Sequence, residues 1–147
     1  EPTTSLDVTV QAQLLELLGD LRKKLGTSVI IITHNLGVVA RYVDRVNVMY
    51  AGNLVETAPT KTLYSQPRHP YTIGLLESVP RLDTPKKIIP RVIKGLPPNL
   101  AKLPPGCPFS PRCEHVMDIC EEKKPDLIQS GKDHFTRCFL EYDNIKR

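Results

Sequence analysis

The sequence predicts an α/β fold over residues 1–58, followed by a small irregular, proline-rich and cysteine-containing domain over residues 59–147. Three observations carry this. A leucine-striped stretch leads into an all-aliphatic, β-branched run, Ser28-Val29-Ile30-Ile31-Ile32-Thr33. A second helical stretch and a strand pair follow, and alternation of helix and strand marks an α/β architecture. Beyond residue 58 lie thirteen of the fourteen prolines and all four cysteines, so the character of the chain changes there.

The first helix starts at Asp7, whose carboxylate suits an N-cap because it accepts from free first-turn amides. Leu14, Leu17, Leu18, Leu21 and Leu25 recur at helical spacing and predict one buried stripe. Arg22, Lys23 and Lys24 suit the negative end of the helix dipole, and Gly26 closes the helix. The run from Ser28 to Thr33 lacks alternation, as does a strand covered on both faces of a parallel sheet. Residues 36–42 read as a second helix and residues 45–50 as another strand. Gly52-Asn53 reads as a turn and residues 54–57 as the antiparallel return. The leucine stripe and the aliphatic strand each need a cover that residues 1–58 do not supply, so this part is expected to be poorly stable alone or to pair with another chain. Thr60 is expected to cap a short helix ending near Tyr64, and residues 71–79 to form another. Residues 88–93 are a candidate short strand.

A length of 147 residues accommodates one ordinary domain or two small ones. The net charge of +4 is mild and spread along the chain, and the aromatic residues are too scattered to make base-stacking platforms. Nucleic acid is therefore not an expected partner. No apolar run approaches the ~20 residues of a membrane span, and the N-terminal residues lack a signal-peptide pattern. The expected compartment is the cytoplasm, where four grouped cysteines more often bind metal than form disulfides.

Taken singly, the candidate catalytic residues have ordinary readings: Glu1 as a solvated carboxylate, His34 as a surface or structural residue, Asp7 as a helix cap. Their order is more specific. Glu1-Pro2-Thr3-Thr4-Ser5-Leu6-Asp7, a leucine-striped helix, an aliphatic strand and then Thr33-His34 together resemble the rear half of an ATP-binding-cassette (ABC) ATPase, a P-loop NTPase, entered at its catalytic glutamate. Residues 1–13 and Thr33-His34-Asn35-Leu36-Gly37-Val38-Val39-Ala40 are similar to the ATP-binding subunits of oligopeptide/dipeptide ABC importers. So are Val48-Met49-Tyr50-Ala51-Gly52, His69-Pro70-Tyr71-Thr72 and Lys94-Gly95-Leu96-Pro97-Pro98. The resemblance implies that Glu1 polarises the attacking water and that His34 holds the γ-phosphate and that water. It also implies that Ser5, Leu6 and Asp7 form the turn (D-loop) that crosses to the opposing subunit. ATP and Mg2+ are the implied ligands of the intact protein. Asn35 departs from the family, which usually has Asp there; the role of His34 is expected to survive. No G-x-x-x-x-G-K-[ST] phosphate loop is present, and the Gly131-Lys132 pair is followed by Asp133 and lacks the upstream glycine. Residues 1–147 alone are therefore not expected to bind or hydrolyse ATP.

Cys107, Cys113, Cys120 and Cys138 are separated by five, six and seventeen residues. Four thiolates complete either a tetrahedral zinc site or the corners of an iron–sulfur cluster, and structural zinc prefers cysteine pairs two to four residues apart. The longer spacings here suit a larger object without excluding zinc. The family resemblance implies a [4Fe-4S] cluster at these cysteines, with Zn2+ as the alternative, in a structural role. Ordinary buried thiols and disulfides formed by oxidation are the other readings. His115 and His134 are read as non-ligands, since four cysteines already satisfy the site.

The resulting expectation is the C-terminal part of the nucleotide-binding subunit of a peptide importer. It would sit peripherally on the cytoplasmic face of the membrane, with a second ABC ATPase subunit and two transmembrane permease subunits as partners. A stand-alone metal-binding interaction module that retains an ABC-like docking segment is the second expectation. A nucleic-acid-binding zinc module is a weaker third.

Overall fold

The computed structural model describes residues 7–79 and 92–142. They fall into two compact units that divide between Val43 and Asp44.

In the first unit, α1 (Val8–Leu25) starts where the sequence predicts. Asp7 is its N-cap and accepts from the backbone N–H of Thr9 and Val10, while Gly26 ends it in the left-handed conformation. The buried leucine is Leu15, not the predicted stripe: Leu17, Leu21 and Leu25 are exposed. The predicted strand over residues 28–33 is not one. Those residues carry no strand ladder, and Ile30 and Ile32 are 91% and 73% exposed. A parallel strand takes its backbone hydrogen bonds from neighbouring strands. Among the described residues no strand flanks this run. Residues of the second helix, α2 (Leu36–Tyr42), have the predicted bounds, and Asn35 caps it by accepting from Gly37 and Val38 N–H.

The second unit is built on a four-stranded antiparallel sheet in the order β1-β2-β4-β3. β1 (Arg45–Tyr50) and β2 (Asn53–Pro59) form a hairpin in which Tyr50 faces Asn53, so the turn is Ala51-Gly52, one residue earlier than predicted. Both turn residues have positive φ, 47° and 74°, the geometry whose twist matches that of paired strands. β3 (Ile128–Gly131) and β4 (His134–Thr136) form a second hairpin that the sequence reading missed. Gly131-Lys132, which lacks the pattern of a phosphate loop, lies at its turn, where Asp133 has φ 55°. β4 pairs with β2 through Glu56–Thr136 and Thr57–Phe135, which makes β2 a central strand. Val55, Glu56, Thr57 and Ala58 are consequently all buried. The break in packing at Val43 thus comes before the break in composition, which falls inside β2.

Two short helices follow β2. α3 (Thr60–Ser65) begins at Pro59 without a side-chain cap, so Thr60 is its first residue, not its cap. α4 (Pro70–Glu77) is capped by His69, with Pro70 in its first turn, where a missing N–H costs nothing. The core joins Val48, Tyr50, Val55, Ala58, Leu63 and Phe109, and Cys107 and Cys113 pack against it. Of the strand predicted over residues 88–93, residues 88–91 lie outside the described ones. The cysteine region is irregular: a 3-10 turn at Ser110–Arg112, α5 (Asp118–Glu122), the β3–β4 hairpin, and a 3-10 turn at Phe139–Glu141.

Candidate functional site

Glu1, Ser5 and Leu6 lie outside the described residues. Asp7 spends its carboxylate on the cap of α1, with Oδ1 at 2.9 and 3.0 Å from the Thr9 and Val10 nitrogens. His34 is exposed, in the link between the aliphatic run and α2. Beside it Thr33 Oγ1 accepts from Asn35 N–H at 3.0 Å. The cap at Asn35 uses only a side-chain carbonyl oxygen, which asparagine and aspartate both offer. This accounts for the tolerance of Asn at that position.

The four cysteines come together in the second unit. All four line one small cavity, with His69 and His115 beside them. Each is placed by local backbone structure. Cys107 and Cys113 flank the first 3-10 turn, Cys120 sits in α5, and Cys138 precedes the second 3-10 turn. Cys107 N–H donates to Cys120 O at 2.8 Å, which draws the two loops together. The approach needs Gly106: a Cβ there would stand 2.2 Å from Cys120 O.

The electrostatics follow from this crowding. Burial pushes the Cys138 thiol up to about 12; the Leu140 backbone N–H opposes this, and the neighbouring Cys113, Cys107 and Cys120 add to it. Burial also raises Cys107 and Cys113, against backbone N–H donors from Phe109 and Ser110 to the first and from His115 to the second. The Cys107, Cys113 and Cys138 thiols are therefore protonated at neutral pH unless a cation takes the protons' place. Amides aimed at three of the four sulfurs favour negative charge on them, which is what a thiolate ligand requires.

In chemistry this donor set fits a soft metal centre. In arrangement, no group of three or more His, Cys, Asp or Glu side chains among the described residues is placed to hold a metal ion. A zinc ion about 2.3 Å from each sulfur gathers four thiolates tightly, whereas a cluster with one cysteine per iron spreads them.

Behind the cavity lies a polar network that the sequence reading did not find. Glu56 is fully buried on β2. Its carboxylate accepts from Arg68 N–H at 2.8 Å, His69 N–H at 3.0 Å and His134 Nε2 at 2.7 Å. His134 is thereby committed to Glu56, and the Arg68 guanidinium pairs with Glu141. His69 is 1% exposed. Its Nδ1 accepts from Tyr71 N–H at 3.0 Å, its ring packs against Phe109, and burial lowers it to about 4. Phe109 also meets Tyr50 edge-on and Tyr71 at a tilt, so the aromatic core and the cysteine loop share one side chain. Arg137 holds Leu54 O and Pro125 O, fixing the segment that carries Cys138. Arg112 holds Lys94 O at 2.9 Å and reaches Ile93 O and Gly95 O, which secures the loop at Lys94-Gly95-Leu96. In the sequence His69 stands out only as part of His69-Pro70-Tyr71-Thr72.

Comparison with known proteins shows what this chain is similar to. Residues 55–120 match the family described as oligopeptide/dipeptide transporter, C-terminal region. Its relatives are ATP-binding proteins of peptide transport. An oligopeptide transport ATP-binding protein of Salmonella typhimurium is 54% identical over 145 residues, 99% of this chain and 43% of the relative. A dipeptide transport ATP-binding protein of Bacillus subtilis is 50% identical over 142 residues, 96% of this chain and 42% of the relative. An oligopeptide transport ATP-binding protein of Mycobacterium tuberculosis is 54% identical over 140 residues, 94% of this chain and 22% of the relative. The chain thus spans less than half the length of these curated relatives. The resemblance to ATP-binding subunits of oligopeptide/dipeptide importers holds along nearly the whole chain. Among the described residues no helix is long and apolar enough to cross a membrane.

Proposed function

We propose that this chain is the C-terminal part of the nucleotide-binding subunit of an ABC importer of oligopeptides or dipeptides, in which ATP hydrolysis drives uptake. The identity of 54% over 99% of the chain to an oligopeptide transport ATP-binding protein carries the proposal. Residues 1–58 contribute the rear of the ATPase domain and residues 59–147 the extension with the four cysteines. In the intact protein, with ATP and Mg2+ bound, Glu1 polarises the attacking water and His34 contacts the γ-phosphate. Ser5, Leu6 and Asp7 form the turn toward the opposing subunit, and Asp7 also caps α1. Residues 1–147 alone neither bind nor hydrolyse ATP. The partners are a second ATP-binding subunit, homologous or identical, and two transmembrane permease subunits. They hold the protein peripherally at the cytoplasmic face. The test is peptide uptake: cells lacking the protein lose uptake of labelled peptides. The wild-type gene restores it, and the gene carrying Glu1→Gln does not. Restoration by the variant would refute the role of Glu1, and uptake unchanged by the deletion would refute the function.

Cys107, Cys113, Cys120 and Cys138 in this reading hold a [4Fe-4S] cluster with a structural role. The bound cluster would supply four metal–sulfur links that tie together loops otherwise short of core. The amides of Phe109, Ser110, His115 and Leu140 support this by stabilising thiolate sulfur. Iron and sulfide in equal amounts from an anaerobic preparation are expected. Stoichiometric zinc without either would overturn the assignment.

A further inference from the structure

We propose that Cys107 and Cys120 form a reversible disulfide, a latch by which an oxidising thiol–disulfide balance withdraws two of the four thiols from any metal. The inference is independent of the cluster reading above and concerns the site in its thiol form, in which all four cysteines are free. Three observations carry it. Cys107 N–H donates to Cys120 O at 2.8 Å, which with standard bond lengths holds the two Cα atoms within about 6.7 Å of each other. Disulfides span Cα separations of about 4.4–6.8 Å, so the backbone is already in range. Both residues line one small cavity, and the Cys120 thiol is close enough to help raise that of Cys107. Gly106 makes the approach possible, because a Cβ there would stand 2.2 Å from Cys120 O. Among the described residues, no other backbone hydrogen bond joins two of the four cysteines.

The step needs a small-molecule disulfide as oxidant and no metal. Cys107 is the more exposed of the pair and attacks first. Its thiol gives up a proton, its sulfur bonds to one sulfur of the small disulfide, and the other sulfur leaves as a thiolate that takes up a proton. Cys120 then loses its proton and attacks the Cys107 sulfur, releasing the second small thiol. The two cysteines are oxidised to one cystine, and one small disulfide is reduced to two thiols. A reducing thiol pool runs the exchange backwards and reopens the site.

The experiment uses the full-length protein, treated with a chelator and a thiol reductant and then equilibrated with oxidised glutathione. A mildly alkaline buffer offsets the raised Cys107 thiol. Remaining thiols are alkylated, and the cross-links are located by tandem mass spectrometry without reduction. The expected product joins Cys107 to Cys120 in most chains and reverts to free thiols with dithiothreitol. A protein carrying both Cys113→Ser and Cys138→Ser should form it to the wild-type extent. Gly106→Ala, which forces the two loops apart, should form it several-fold less. Alkylation of Cys107 and Cys120 in most chains after equilibration overturns the inference. So does a mixture of pairings, or a double variant that stays uncross-linked. Gly106→Ala cross-linked like wild type overturns the part assigned to the close approach; should that variant not fold, the double variant decides. Iron and sulfide, measured before the chelator is added, bear on the cluster reading alone, so the two readings fail separately.

Discussion

Glu56 meets three donors without access to water, one each from Arg68, His69 and His134. Removing a buried charged partner leaves the others unpaired and costs about 3–5 kcal/mol. Glu56→Ala should therefore lower the unfolding free energy of the second unit by about that amount, as measured by urea denaturation; a change under about 1 kcal/mol would show that the network is replaceable. His69 gives a pH signature. Its folded-state value of about 4 lies below the unfolded value of 6.5, so the unfolded chain binds the proton more readily. Its contribution is fully present above pH 6.5 and is lost as pH falls from 6.5 toward 4, by up to about 3 kcal/mol. Denaturation curves across that range should show the loss in the wild type and a flatter profile in His69→Asn. The sequence singled out His69 only within His69-Pro70-Tyr71-Thr72, with the helix expected from Tyr71. The cavity it lines was not legible, because that cavity depends on cysteine loops some 40 to 70 residues further along the chain.

At the scale of elements, local signals located α1, α2 and β1 well, because caps, turns and periodicity act within a few residues. The aliphatic run over 28–33 has strand composition, but a ladder is a non-local property and no described strand pairs with this run. The β3–β4 hairpin failed to register for the opposite reason: its strands are short and polar, and pairing to β2 sustains them. Exposure separates the consequences. Ile30, 91% exposed, should accept serine with a change within about 0.5 kcal/mol in this chain, whereas Leu63→Ala, at 1% exposure, should cost about 2–5 kcal/mol. Parallel urea titrations of the two variants check this. Equal losses would mean that the aliphatic run is packed in solution.

At the scale of the molecule, the two compact units divide the two chemistries. The residues assigned to ATP turnover belong to the part before Asp44, and the four cysteines, His69 and Glu56 belong to the part after it. Motif order is what assigns the first, through Thr33-His34 after an aliphatic run. The cysteine count made the second legible, but only folding shows that the four line one cavity with a histidine in it. The central claim is that this chain carries the hydrolytic carboxylate of a peptide importer. ATP turnover by the reconstituted transporter, with and without Glu1→Gln, tests it most directly. Loss of the group that polarises the attacking water should lower turnover about 100-fold or more while ATP binding is retained. Turnover by the variant equal to wild type would contradict the claim.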